Sequence, residues 1–150
     1  MCYATNKARK YQLTFNNPVQ HGFTHAVIKT TLASFPGIQY WCMCDEIGEQ
    51  GTPHTHLYLY SPNAILFSTL QQRFMGAHME AAKGSHRENR DYIRKEGRWL
   101  DDTKHETNLP QTFEESAPLP AEQNKRESIS SEILELVQSG ASNAEILLQY

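Results

Sequence analysis

Polar and apolar residues alternate along KYQLTFN, Lys10 to Asn16, with Tyr11, Leu13 and Phe15 on one side and Gln12, Thr14 and Asn16 on the other. A period of two is that of a strand. Asn17-Pro18 ends it, because proline fixes its own φ and restricts the residue before it. From Phe23 to Phe35 the spacing of Val27, Ile28, Leu32 and Phe35 is close to helical, and Pro36-Gly37 stops the run. Alternation returns over Ile38 to Glu46, with Tyr40, Cys42, Cys44 and Glu46 against Trp41, Met43 and Asp45. Thr52-Pro53 then turns the chain into a third strand. There His54, His56, Tyr58 and Tyr60 share one face, and Thr55, Leu57 and Leu59 share the other. The short loop before it predicts that strands two and three pair antiparallel. Phe67, Leu70 and Phe74 mark a short helix closed by Gly76, and Ala77 to Ala82 reads as a fourth strand. Ser85 is placed to cap a third helix that runs to about Glu96 and is stopped by Gly97.

Strand, helix, strand, strand, helix, strand and an extra helix is the order of an α+β, ferredoxin-like (RRM-like) fold. Such a fold is an antiparallel sheet with helices packed on one face and the other face open. Parity alone puts Gln12, Thr14, Asn16, Glu46, His54 and His56 on the open face. The predicted organisation is a flexible N-terminus over 1–9, a folded domain over 10–100, a flexible linker over 101–127 and a helical segment over 128–150. The linker reading rests on a stretch rich in Pro, Glu, Thr and Asn. The helical one rests on the stripe Ile129, Ile133, Leu136, Val137 and on a capping box at Ser142-x-x-Glu145.

Composition adds bounds. A hydrophobic content of 39% supports a globular core. There is no run of about 18 apolar residues, and no apolar segment follows Lys7, Arg9 and Lys10 as a secretory signal requires. Three cysteines without framework spacing suit an intracellular, reducing compartment. The net charge of −3 divides unevenly: residues 1–105 carry twelve Lys/Arg and nine Asp/Glu, residues 106–150 two and eight. The body is therefore mildly basic, which suits a local contact with nucleic acid rather than a long electrostatic footprint.

The chemistry starts from His54 and His56. Imidazoles at i and i+2 on a strand stand roughly 6.6 Å apart and point the same way, so both can reach one divalent ion. Glu46, by parity on the same face of the neighbouring strand, adds a hard oxygen, and such a set suits Mg2+ or Mn2+ held jointly with a phosphate. Glu49 is the alternative carboxylate. Cys42 and Cys44 share the Glu46 face, so a two-Cys, two-His zinc site is a competing arrangement. Tyr92 and Lys95 lie three apart on one face of the third predicted helix. A phenol is a poor nucleophile at neutral pH, with a free pKa of about 10, and a nearby ammonium and a polarised phosphate would make its attack feasible. Tyr40, Tyr58 and Tyr60 offer a different use of the sheet, as a platform on which a non-catalytic module stacks single-stranded bases.

LTFNNP (Leu13 to Pro18), TPHTH (Thr52 to His56) and YIRKEG (from Tyr92), in that order on strand, strand and helix, resemble the three motifs of one family. It is the HUH endonuclease domain of rolling-circle replication initiators of the circovirus, geminivirus and plasmid type. HMEAAKG, His78 to Gly84, resembles the circovirus segment before the tyrosine helix, and the likeness covers about Lys10 to Arg98. A threonine stands between the histidines where the family prefers an apolar residue. The loop from Glu46 to His54 is shorter than in circoviruses.

The resemblance implies a metal-dependent DNA endonuclease (nickase) and strand-transferase. His54 and His56, with Glu46, would bind Mn2+ or Mg2+. Tyr92 would form a 5′-phosphotyrosine and free a 3′ hydroxyl, and Lys95 would assist. Thr14, Asn16 and Asn17 would contact single-stranded origin DNA in a stem-loop. A transposase using the same chemistry is the alternative within the enzyme class. The C-terminal region would serve oligomerisation or link to a helicase, and the site of action would be a host nucleus for a virus or the cytoplasm for a plasmid. No G-x-x-x-x-G-K-[ST] occurs, so ATP hydrolysis is not expected of this stretch.

Overall fold

Three neighbouring strands carry the molecule in register. β1 (Lys7–Asn16) and β2 (Tyr40–Ile47) both pair antiparallel with the long central β3 (Pro53–Leu66). β4 (His78–Ala81) pairs with β1, and β5 (Asn108–Glu115) pairs with β2, so the sheet order is β4-β1-β3-β2-β5. The structure, a computed structural model, describes residues 6–48, 50–100 and 107–122. The described elements fall within the unit Met1–Pro120. The first four strands and two helices have the expected α+β, ferredoxin-like arrangement. Glu49 and the predicted helices of 128–150 lie outside the described residues.

The alternation read from the sequence becomes two faces. On one, Tyr11, Leu13, Phe15, Met43, Leu57 and Leu59 are buried under α1 (His25–Ala33) and α2 (Phe67–Arg73). Ile28 and Leu32 come from α1 and Leu70 from α2, and Phe74 just beyond α2 packs edge-on to Phe15 at 5.6 Å. Thr24 caps α1, its hydroxyl accepting from the Val27 amide at 3.2 Å. On the other face lie the rows Asn16–His54–Glu46, Thr14–His56–Cys44 and Gln12–Tyr58–Cys42, each crossing β1, β3 and β2.

Three expectations are corrected. Lys7 to Arg9, read as part of a flexible N-terminus, extend β1, where Lys7 and Ala8 pair with Leu66 and Ile65 across a bulge. Asn108 to Glu115, read as flexible linker, form the edge strand β5. An edge strand needs no apolar face and tolerates its Pro110. Finally α3 (His86–Arg94) packs on the opposite face from α1 and α2, burying Ile93 among Tyr40, Cys42, Cys44, Tyr58 and Tyr60. The face expected to be open is thus half covered, and the helix that covers it carries Tyr92.

The start of α1 is tied to the sheet through His25. Its Nε2 donates to Asp45 Oδ1 at 2.7 Å and its Nδ1 to Glu114 Oε2 at 2.6 Å. The Asp45 hydrogen bond raises the His25 pKa, burial opposes it, Glu114 reinforces it, and the outcome lies above the ordinary value. A raised folded pKa means the bridge contributes fully below about pH 6.5 and fades as pH rises through the folded value. Wild type should therefore exceed a His25→Gln variant in stability most at about pH 5.5, with the gap closing toward about pH 8.5 in urea titrations. A gap independent of pH would show that the ring is not charged in the folded state.

Candidate active site

Strand pairing sets Glu46 directly across from His54, and His54 directly across from Asn16. One row further along, Thr14, His56 and Cys44 are aligned. His56 Nε2 donates to Glu46 Oε1 at 2.6 Å, which leaves Nδ1 to accept from the Thr14 hydroxyl at 3.2 Å. Thr14 therefore orients an imidazole. Asn16 is exposed at the strand end beside His54. Asn17 has a left-handed φ of 49°, and its amide donates to the Pro53 carbonyl at 2.8 Å, stitching the ends of β1 and β3 together.

α3 delivers the remaining groups. Ser85 and Glu88 form a capping box at its start. At its end the helix stops earlier than the spacing predicted, because Lys95 takes a left-handed conformation with φ 56°. That position usually falls to glycine, since a Cβ there costs about 1 kcal/mol. The turn sends the Lys95 side chain inward, where it is 0% exposed. Its Nζ donates to the Tyr92 carbonyl at 2.8 Å, lies 3.7 Å from the centroid of the Tyr92 ring and stands 3.7 Å from Glu46 Oε2. The Tyr92 ring meets His56 edge-on at 5.9 Å and Trp99 at 5.1 Å. Tyr92, Lys95, Glu46 and His56 are thus brought together, with His54 at 6.2 Å from His56, ring to ring.

The electrostatics favour an ionised carboxylate beside a neutral ring. Burial pushes the Glu46 carboxyl up, but the His56 hydrogen bond and the attraction of the surrounding groups, the Lys95 ammonium among them, outweigh it, and its pKa falls below the usual value. Burial, then the neighbouring His56, lowers the pKa of His54. Among the described residues, no three His, Cys, Asp or Glu side chains converge in metal-holding geometry, since His56 Nε2 is engaged by Glu46. Yet among these residues the buried side-chain polar atoms without a hydrogen-bond partner are two: Glu46 Oε2 and His54 Nδ1. Such orphaned groups are uncommon in a folded interior. A carboxylate oxygen and a neutral imidazole nitrogen, both unspent, on directly paired residues fit a hard divalent cation.

The competing arrangements fare differently. Cys44 Sγ turns to β5, toward the Leu109 carbonyl at 3.3 Å and the Thr112 hydroxyl at 3.6 Å. Burial raises both thiols, Cys42 to about 12, and the Cys44 sulfur is spent on β5 rather than turned to the histidines. Tyr40 and Tyr58 are fully buried, and Tyr58 is hydrogen-bonded to His86 Nδ1 at 2.6 Å, so the expected stacking platform is covered by α3. His86 is itself buried and packs edge-on to Tyr60 at 4.4 Å. Trp99 was not singled out by any pattern, since it follows the motif helix in a short turn, Gly97–Trp99.

Two clefts flank the cluster. One, of about 460 Å³, is lined by Gln12, Lys83, Asn89, Tyr92, Arg98 and Trp99. The other, of about 380 Å³ and largely apolar, is lined by Asn17, Pro18, Ile47, Glu46, His54 and Leu109. Tyr92 lines the first, and Glu46 and His54 line the second.

Comparison with known proteins follows the same residues. A family model described as "Putative viral replication protein" matches residues 8–96. The chain is 34% identical over 93 residues to the replication-associated protein of pigeon circovirus, covering 62% of this chain and 28% of that protein. It is 37% identical over 90 residues to the replication-associated protein of beak and feather disease virus, covering 59% and 29%. With the replication-associated protein of canary circovirus it shares 33% over 90 residues, again 59% and 29%. The chain thus spans less than a third of the length of these relatives.

Proposed function

The chain belongs to the family of viral replication proteins, and from that premise we propose that it is the DNA-nicking domain of a replication initiator. It cuts single-stranded origin DNA by attack of a tyrosine. The observation that carries the reading is the placement of Tyr92 on the imidazole face, 5.9 Å from His56 and under Lys95.

A single strand would cross the face from one flanking cleft to the other, setting its scissile phosphate between Tyr92 and the Glu46–His54–His56 group. The Tyr92 hydroxyl oxygen attacks phosphorus and gives up its proton to solvent. The bond from phosphorus to the 3′ oxygen breaks, and that oxygen leaves as a 3′ hydroxyl after taking up a proton. The phosphate stays on Tyr92 as a 5′-phosphotyrosine diester, so bond energy is kept and a later 3′ hydroxyl can reverse the step and rejoin the strand. Lys95 offsets charge developing beside the ring. Glu46 and His54 carry the unspent atoms that would hold Mn2+ or Mg2+, and His56 would join them by giving up its hydrogen bond to Glu46; the ion would supply Lewis-acid polarisation of the phosphate. Thr14, hydrogen-bonded to His56 Nδ1, orients the ring. Asn16, exposed beside His54, and Asn17, lining the apolar cleft, are placed to meet the strand.

The test is covalent capture. Incubated with Mn2+ and an origin stem-loop oligonucleotide, the protein should form a denaturant-resistant adduct at a peptide containing Tyr92. It should form less with a transposon-end hairpin. Binding without any adduct would leave a non-catalytic module. Capture of the transposon-end hairpin alone would assign the domain to transposition.

A further inference from the structure

α3 meets the sheet with three buried side chains, His86, Asn89 and Ile93, two of them polar. Ile93 is the one aliphatic side chain it contributes to the interior, and the rest of HRENRDYIR is polar or aromatic. His86 and Asn89 hold its first turns through Tyr58 at 2.6 Å and Gln12 at 2.7 Å, and the last turn, which carries Tyr92, has a further hold. That hold comes from β5, which lies beyond the stretch matched by the family model.

Arg90 forks onto Glu115, with Nε to Oε2 at 3.0 Å and Nη2 to Oε1 at 3.2 Å. The buried Tyr40 donates its hydroxyl to the same Oε2 at 2.6 Å, fixing the carboxylate to β2. Phe113 is faced by two guanidiniums, Arg90 at 5.3 Å and Arg94 at 4.7 Å from its ring centroid. Arg90 and Arg94 are one turn apart, so they grip the ring from a single helical face. Asn108 Nδ2 donates to the Arg94 carbonyl at 3.1 Å, at the last helical residue and immediately before the left-handed Lys95. Tyr92 sits roughly 200° around the helix from Arg90. The clamp therefore holds one side of α3 and leaves the tyrosine side to the imidazoles.

We propose that β5 is the brace that sets α3 over the catalytic face, with Arg90 and Arg94 as positioning residues seated on Phe113 and Glu115. Its kinetic consequence rests on the reading of Tyr92 as nucleophile, but its mechanical content does not. A misplacement of about 1 Å at a reacting group can cost on the order of a hundredfold in rate.

The experiment uses the full chain with Phe113→Ala, and with Phe113→Tyr as the variant that keeps a ring beneath both guanidiniums. Amide hydrogen exchange should quicken about tenfold or more at 89–94 in Phe113→Ala, while β1 and β3 stay as protected as in wild type. At saturating oligonucleotide, adduct formation should slow by about ten- to a hundredfold, with DNA affinity within about threefold. Phe113→Tyr should restore both. Unchanged exchange in α3, or a rise spread evenly over the sheet, would overturn the brace. So would loosened exchange with adduct formation at the wild-type rate. If wild type itself forms no adduct, the nicking reading fails, and the exchange measurement still decides the brace.

Discussion

Phenylalanine at position 92 is expected to abolish covalent capture of DNA while leaving fold and DNA affinity nearly intact. Three contacts that seat this side chain use its ring: the edge-on approach to His56, the packing on Trp99 and the Lys95 Nζ above its face. Tyr92→Phe keeps all three. What it removes is the oxygen that attacks phosphorus, for which no other residue can substitute at the same place. Loss of a nucleophile lowers turnover by about 10⁴-fold or more in enzymes that work through a covalent intermediate. The adduct band should vanish, the melting temperature should stay within a few degrees, and binding to the stem-loop should stay within a few-fold. An adduct that persists in the variant would assign the nucleophile elsewhere.

The sheet was legible because alternation is a local property. Parity along β1, β2 and β3 placed Gln12, Thr14, Asn16, Glu46, His54 and His56 on one face, and the register then aligned Glu46 with His54. β5 was not legible for a physical reason. NLPQTFEE lies at an edge, is satisfied by pairing with β2 alone, and shows a linker's composition. Its anchoring groups, Asn108, Phe113 and Glu115, act on α3 through single contacts that have no period. The face chosen by α3 was equally hidden, since its buried stripe, His86, Asn89 and Ile93, is polar but for one isoleucine and so shows no apolar period. Lys95 was legible as a motif residue but not as a buried one, because lysine is almost always exposed unless paired. Its burial follows from a left-handed backbone that a sequence pattern favouring glycine there does not foretell.

The burial of that lysine leads to a second large effect. Lys95→Met keeps the aliphatic stem and removes the charge. The cluster would then hold the ionised Glu46 carboxylate without the cation 3.7 Å from its Oε2, and the Tyr92 ring without the cation on its face. Removing a preorganised charge of this kind from a reacting site lowers turnover by about 10²- to 10³-fold. Stability should fall as well, because removing one partner of a buried pair leaves the Glu46 carboxylate less compensated, even though an apolar side chain of similar length fills the space. Lys95→Gly separates charge from backbone. It relieves the left-handed strain, worth about 1 kcal/mol, but opens a cavity where the stem was. Both variants should melt below wild type, and both should be slow in adduct formation at saturating DNA when assayed well below their own melting temperatures. If Lys95→Met nicks within a few-fold of wild type, Lys95 is a packing group, and the charge balance at the phosphate must come from the imidazole side alone.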